Sequence, residues 1–275
     1  MKWFLWVIVF ELLLPFSPVA QFTDFFSDSN LNGWEGDTIH FIINPEGQLQ
    51  LNAPEGSNQS WVHTSLSYTE SMSWDMYVNM TFAPSTSNQL RMYLATTESD
   101  YTVASGYFLE IGAGGDQDAI EFKYLDGGVS QSIASSSPGL VADDPVLIKL
   151  KVIKNENGLW ECFNTSGSIP ELLFSTFHDS ISLTEMHTFG LLCKYTSTRR
   201  DKFFYDDISI LPAYPDTIAP VWLDMIVSDD HTLVLTFDEI LDQLSADVAT
   251  HYNLLPGSTS PSDIALNGKD RKSVV

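Results

Sequence analysis

The chain has 275 residues, which at roughly 150 residues per domain allows one large domain or two small ones. It carries 13 Lys and Arg against 36 Asp and Glu, a formal net charge of −23, so no basic surface is on hand to neutralise the phosphates of nucleic acid or of an anionic lipid. Hydrophobic residues at 44% and aromatic residues at 12% supply a core and exclude global disorder.

Met1 and Lys2 precede an apolar run from Trp3 to Leu14, broken only by Glu11, and Pro15-Phe-Ser-Pro-Val-Ala20 follows. A cationic start, a short apolar stretch and a small residue at its end predict a secretory signal peptide over residues 1–20, and so an exported protein at the cell surface or outside it. Glu11 and Pro18 depart from that pattern, and the run is shorter than the ~20 apolar residues that span a bilayer. No other stretch resembles a transmembrane helix. Losing Lys2 and Glu11 would leave 12 cations and 35 anions, again −23.

From Asp37 onward the period is two. Trp74, Met76, Val78, Met80 and Phe82 alternate with polar neighbours, and so do Leu90/Met92/Leu94, Tyr107/Leu109/Ile111, Ile120/Phe122/Tyr124, Ile148/Leu150/Val152 and Phe189/Leu191/Cys193/Tyr195. Gly114-Gly-Asp116, Asp126-Gly-Gly128 and Asn155-Glu-Asn-Gly158 punctuate them, the last two as hairpin connections. Eleven to thirteen short strands, by this reading, predict an all-β sandwich or jelly roll over residues 21–212. Leu211-Pro-Ala-Tyr-Pro215 reads as a linker, because prolines cannot donate to a central ladder. Residues 213–275 then hold two strand-like runs, Ala219–Val227 and Thr232–Phe237, and a short helical turn capped by Ser245. That is too little for a complete sandwich, so an incomplete second unit, and further domains beyond it, are expected.

Gly106-Tyr-Phe-Leu-Glu-Ile-Gly112, Gly190-Leu-Leu-Cys-Lys-Tyr-Thr-Ser-Thr198 and Lys202-Phe-Phe-Tyr-Asp-Asp207, with Trp34-x-Gly-Asp-Thr38 and Gly47-Gln-Leu-Gln-Leu-Asn52 before them, resemble the N-terminal jelly-roll module of exported Bacteroidetes proteins of the lamin-tail-domain-containing type. From Asp216 the chain is similar to the bacterial Ig-like domain of surface-layer proteins, on Ala219-Pro220, Leu235-Thr-Phe-Asp-Glu239, Leu241-Asp242, Ser245-Ala246 and Tyr252-x-Leu254. The resemblance implies a concanavalin-like or laminin-G-like sandwich in a modular surface protein, with no established catalysis in this module.

Three kinds of chemistry are weighed on that frame. Glycoside hydrolysis needs two carboxylates at ~5–5.5 Å or ~6.5–9.5 Å. The Glu-x-Asp-x-x-Glu pattern of sandwich glucanases is absent, and Glu110 and Glu121 read as residues of a solvated sheet face. The expected role is a non-catalytic binding or spacer module of an exported multidomain protein; a carbohydrate-active enzyme with its chemistry in other domains is the alternative reading, and a stalk with no ligand a third. Calcium wants six to eight oxygens. Asp206 and Asp207 in the last strand, with Asp24 and Asp28 near the start, resemble the acidic pair at which jelly rolls hold an ion, provided the first and last strands are neighbours; Asp116 and Asp118 are a second choice, and an acidified edge strand is the plain alternative.

Glycan binding through exposed aromatic faces is the third. Trp74 shares the parity of Met76 and Val78 and reads as core. Trp34 and Trp61 stand in loop-like contexts and are the better candidates, and Tyr77 and Tyr93, on the polar parity of their strands, are expected to line one exposed sheet face. Cys162 and Cys193 admit either one bridge or two buried thiols. The six histidines lack metal-ligand spacing, and no Gly-x-Ser-x-Gly, Walker or dinucleotide motif occurs. Asn58, Asn79 and Asn164 begin N-glycosylation triplets, and Asp37-Thr-Ile, Asp179-Ser-Ile and Asp216-Thr-Ile resemble a short O-glycosylation signal of exported Bacteroidetes proteins.

Overall fold

The structure is a computed structural model that describes residues 22–112, 118–213, 222–229, 232–237, 261–262, 264–266 and 271–274. The expected signal peptide, Asp116 and the turn at Ser245 lie outside the described residues. In chain order the strands are β1 (Phe22–Asp24), β2 (Glu35–Gly36), β3 (Phe41–Ile43), β4 (Leu49–Leu51), β5 (Asn58–Ser65), β6 (Met72–Met80), β7 (Gln89–Thr96), β8 (Gly106–Ile111), β9 (Ile120–Asp126) and β10 (Val129–Ser135). There follow β11 (Val146–Lys154), β12 (Leu159–Asn164), β13 (Glu171–Phe177), β14 (Thr188–Tyr195) and β15 (Phe203–Pro212), then β16 (Trp222–Val227), β17 (Leu233–Phe237), β18 (Ile264–Leu266) and β19 (Arg271–Val274).

Two antiparallel sheets make the sandwich. One runs β13-β12-β11-β6-β15-β4-β3, with β1 paired to β15, and the other runs β10-β9-β8-β7-β14-β5-β2. This is the expected all-β jelly roll. Among the described residues fifteen strands occur up to Pro212, against the eleven to thirteen expected. The surplus comes from β1 to β4, whose two or three residues are too few to show a period. β16, β17, β19 and β18 form a separate four-stranded sheet. Among the described residues no helix is long and apolar enough to cross a membrane.

The core follows from alternation. In β6, Trp74, Met76, Val78 and Met80 are buried while Asp75, Tyr77 and Asn79 face outward. Across the ladder Val152, Leu150 and Ile148 stand opposite Trp74, Met76 and Val78, so apolar faces coincide. Each such side chain contributes about 1.5–3 kcal/mol on burial. Trp74 stacks on Trp160 at 5.6 Å and donates its Nε1 hydrogen to Leu94 O at 2.8 Å, which satisfies its one polar group. Gly127 and Gly128, both at positive φ, close the β9–β10 hairpin in the expected two-residue turn. The linker expected from Leu211 begins later: Leu211 and Pro212 still pair with Ser73 and Met72, because a proline is tolerated at the end of a strand.

Cys162 on β12 and Cys193 on β14, one in each sheet, are buried free thiols with no bridge between them. Cys193 Sγ lies 2.9 Å from the Tyr205 hydroxyl. Burial raises the Cys162 thiol and pushes Cys193 up to about 12, so neither ionises at neutral pH.

Candidate functional site

The outer face of the seven-stranded sheet carries a side-chain cluster of its own, apart from the core between the sheets. Odd positions of β5 point Trp61 and His63 outward, while Val62 packs into the core. From the neighbouring strands come Gly190 and Leu192 of β14, Arg91 and Tyr93 of β7, and Phe108 and Glu110 of β8. Tyr93, Phe108, Leu125, Leu192 and Ala104 form a second, smaller apolar cluster there, and half-buried Trp61 and Tyr101 pack against it. The segment from Thr97 to Ser105 folds back over the sheet, so that Tyr101 stacks on Tyr93 at 5.7 Å. β8 is therefore buried on both faces, which explains its apolar run Tyr-Phe-Leu.

Trp61 is positioned by backbone and by glycine. Its ring meets Tyr93 edge-on at 5.1 Å and Tyr101 at 5.7 Å, and lies 5.6 Å from the His63 ring. Asp37 accepts the Trp61 backbone N–H at 3.0 Å, and its own N–H donates to Trp61 O at 2.8 Å. Trp61 Nε1 and His63 Nδ1 are both buried without a hydrogen-bond partner. His63 is only 9% exposed, and burial holds its pKa below the usual imidazole value against the pull of Glu35. Buried polar atoms of this kind ordinarily find partners; Trp61 Nε1 can only donate, and His63 Nδ1 donates or accepts according to its tautomer, so the pair is equipped to hydrogen-bond a group such as a hydroxyl that does both.

Beside the aromatic patch runs a row of ions. Glu110 is buried at 7% exposure and binds Arg91 Nε at 2.6 Å and Lys123 Nζ at 2.5 Å; Lys123 also reaches Glu121 at 2.9 Å. The expected solvated face is thus an ion-paired one. Glu110 and Glu121 are cross-strand neighbours, which separation in sequence hid. A cation stands between them.

The other sequence candidates are placed differently. Trp34 is 6% exposed, boxed by Phe22, Phe26 and Phe189, and donates Nε1 to Asp24 at 2.8 Å; it is core, with no face for a ligand. Tyr77 and Tyr93 do face outward, but from different sheets, so they line opposite sides of the sandwich. Tyr77 stands near Lys149, 5.9 Å from its ring centroid, and Tyr93 is fully covered by Tyr101 and its segment. Trp61, read from the sequence as a loop residue, lies within β5, so His63 two positions on shares its face; Tyr101 comes to it only through the folded-back 97–105 segment.

β1 does pair with β15, as the calcium expectation required. The four aspartates nevertheless do not converge. Asp24 stands opposite buried Ile208, and its two oxygens accept from Phe26 N and Trp34 Nε1. Asp28 accepts from Asn30 N. Asp206 and Asp207 lie on a bulge of β15; Asp206 accepts from Asp207 N, and Asp207 is ion-paired with Lys149 at 2.8 Å. Among the described residues no three His, Cys, Asp or Glu side chains gather to hold a metal.

No family model matches the sequence, and no curated protein matches it. Solved structures do match in shape. The carbohydrate recognition domain of Emp47p superposes with a TM-score of 0.54 at 12% identity, covering 70% of this chain and 95% of that one. The CBM2 module of the evolved Dit protein of Lactobacillus casei BL23 phage J-1 gives 0.53 at 9% identity, with 71% and 98% covered. The exoplasmic/lumenal domain of VIP36, in its Ca2+/Man3GlcNAc-bound form, gives 0.50 at 10% identity, with 67% and 85% covered. At such identities the likeness establishes a shared jelly-roll fold.

Proposed function

We propose that residues 22–212 form a non-catalytic glycan-binding module whose binding face is the patch of Trp61, His63 and Tyr101. The observation that carries this reading is the pair of buried, unpartnered nitrogens, Trp61 Nε1 and His63 Nδ1, in an aromatic patch left half open. A sugar offers an apolar ring face to stack on an aromatic and a fringe of hydroxyls to meet such atoms. Solved neighbours of the same fold include a carbohydrate recognition domain and a carbohydrate-binding module, which supports the reading by analogy of fold. Glu110 and Glu121 share Lys123 between them, which suits a structural ion row better than an acid–nucleophile pair.

The wider setting belongs to the same proposal. The apolar start at Trp3–Leu14 supports an exported or cell-surface protein. The separate sheet from Trp222 and the Ala219-Pro220 opening support a second, Ig-like unit, and the segments around Gly106 and Gly190 support kinship with lamin-tail-domain-containing exported proteins.

A glycan and polysaccharide array probed with the full chain tests the binding role. Saturable binding that is lost in Trp61→Ala and kept in Trp222→Ala is the expected result. A blank array, or binding indifferent to Trp61, overturns it.

A further inference from the structure

The patch around Trp61 sits inside a rim of acid. Glu35 of edge strand β2 stands directly opposite His63. Asp37 is tied to the backbone of Trp61, Asp100 precedes Tyr101 in the covering segment, and both act electrostatically on Tyr101, with Arg91 acting more strongly in the opposite sense. All three carboxylates are exposed. The cations within reach are already engaged: Arg91 is bound to Glu110 and lies over Phe108 at 5.6 Å, Lys123 is held between Glu110 and Glu121, and Lys194 donates to Thr86 O at 2.7 Å. What a ligand meets is therefore aromatic surface with a surplus of negative charge around it, in a chain that is itself at −23.

Resting on the glycan-binding reading above, we propose that this site takes a saccharide with free amino groups, an unacetylated hexosamine unit in its protonated form. An ammonium group is attracted both to the faces of Trp61 and Tyr101 and to the three carboxylates, while the sugar ring stacks and its hydroxyls meet Trp61 Nε1 and His63 Nδ1. A uronic acid or sulfated sugar meets repulsion from the same rim. An N-acetylated unit keeps the stacking and loses the charge.

Calorimetric titration of the full chain tests this with three trisaccharides: glucosamine, N-acetylglucosamine and galacturonic acid, at a pH where the amine is protonated. The glucosamine trimer is expected to bind roughly tenfold more tightly than its acetylated form, the size of one well-placed cation–aromatic contact. That preference should shrink with rising salt and vanish in the triple variant Glu35→Gln, Asp37→Asn, Asp100→Asn. Equal affinities, or tighter binding of the galacturonate, overturn the inference and leave the glycan-binding role intact. Glucosamine binding undiminished in Trp61→Ala, and in Tyr101→Ala should the first variant fail to fold, reports general attraction to a polyanion and also overturns it. Absence of binding by all three, together with a blank array, removes both.

Discussion

The indole of Trp61 occupies the space that a side chain at position 190 would need. A Cβ built on Gly190 would stand 2.0 Å from Trp61 Cη2 and within 2.6 Å of two further ring atoms. The glycine is thus required by close approach of a ring, at an ordinary strand conformation in the middle of a ladder where glycine is otherwise unfavourable. Gly190→Ala is expected to push the indole off β14, to cost about 1–3 kcal/mol by overpacking, and to abolish glycan binding while Trp61 is still present. The double variant Gly190→Ala, Trp61→Ala should recover much of that stability. Urea unfolding of the two single variants and the double variant measures the coupling, and additive losses would contradict the contact.

Asp24 serves Trp34. Its carboxylate receives the indole N–H at 2.8 Å and the Phe26 N–H at 2.8 Å, fixing the chain where it leaves β1 at Phe26, whose φ is positive. Asp24→Ala strands a buried indole donor and should cost about 1–3 kcal/mol, whereas Asp28→Ala, on an exposed turn, should cost little. The melting temperature of Asp24→Ala is expected to fall by the same amount in calcium and in chelator. A loss confined to the calcium sample would restore a metal to this corner of the fold.

Legibility in the sequence followed what periodicity can encode. Alternation placed Trp74, Met76 and Val78 in the core, because the side of a pleated strand is a local property; for Tyr93 it gave the side of the strand, but the exposed face expected there is covered. It could not tell that the 97–105 segment lies over Tyr93, since covering is a long-range event. Trp34 has no flanking alternation, so its local context read as a loop, although Phe22 and Phe26 of the N-terminal segment and distant Phe189 enclose it. Glu110 and Glu121 lie eleven positions apart and became neighbours only through the β8–β9 register. In the patch itself, His63 follows Trp61 by the period of β5, whereas the glycine beneath the indole and the tyrosine beside it depend on which strands pair and on the covering segment.

Two histidines make the stability depend on pH. His178 closes one edge of the sandwich: its Nδ1 is 3.1 Å from the Tyr107 hydroxyl, its Nε2 is 3.3 Å from Ser180 Oγ, its ring is 4.9 Å from Tyr124, and its carbonyl accepts from Trp160 Nε1. Burial lowers its pKa, opposed by Asp179, as burial lowers that of His63, opposed by Glu35. With folded values below the unfolded value of about 6.5, the unfolded chain takes up more protons as acid is added. Stability is therefore fully present above that value and is lost as pH falls through the folded pKa values. At still lower pH Glu70 adds a loss of the same sign, because the Ser182 hydroxyl bond, ahead of the Lys154 charge, holds its carboxyl down. Melting temperatures from neutral pH into the acid range should decline for the native chain and flatten in His178→Gln and His63→Gln. A decline that is unaltered in both variants would assign it elsewhere.

Among the described residues Lys154 is the most deeply buried charge, its side chain 0% exposed at the end of β11. Its ammonium lies 3.1 Å from Glu70 O, 3.4 Å from Asn155 O, 3.5 Å from Glu70 Oε2 and 3.4 Å from Asp179 Oδ1, and Ser182 donates to the same Glu70 carboxylate. One cation thus ties together the loop before β6, the β11–β12 turn and the segment after β13. The partners are unequal: both carboxylates keep about half their surface in water and can be solvated if the ammonium leaves, whereas the ammonium has nowhere to go if they are neutralised. Lys154→Met, which preserves the aliphatic stem, should cost about 1–3 kcal/mol, and Lys154→Ala more, through the cavity it leaves. The double variant Glu70→Gln, Asp179→Asn should cost more than Lys154→Met, about 3–5 kcal/mol, because it leaves a buried charge without its counter-charges. Urea unfolding ranks the variants. A double variant milder than Lys154→Met would mean that the backbone carbonyls of Glu70 and Asn155 satisfy the ammonium without the carboxylates.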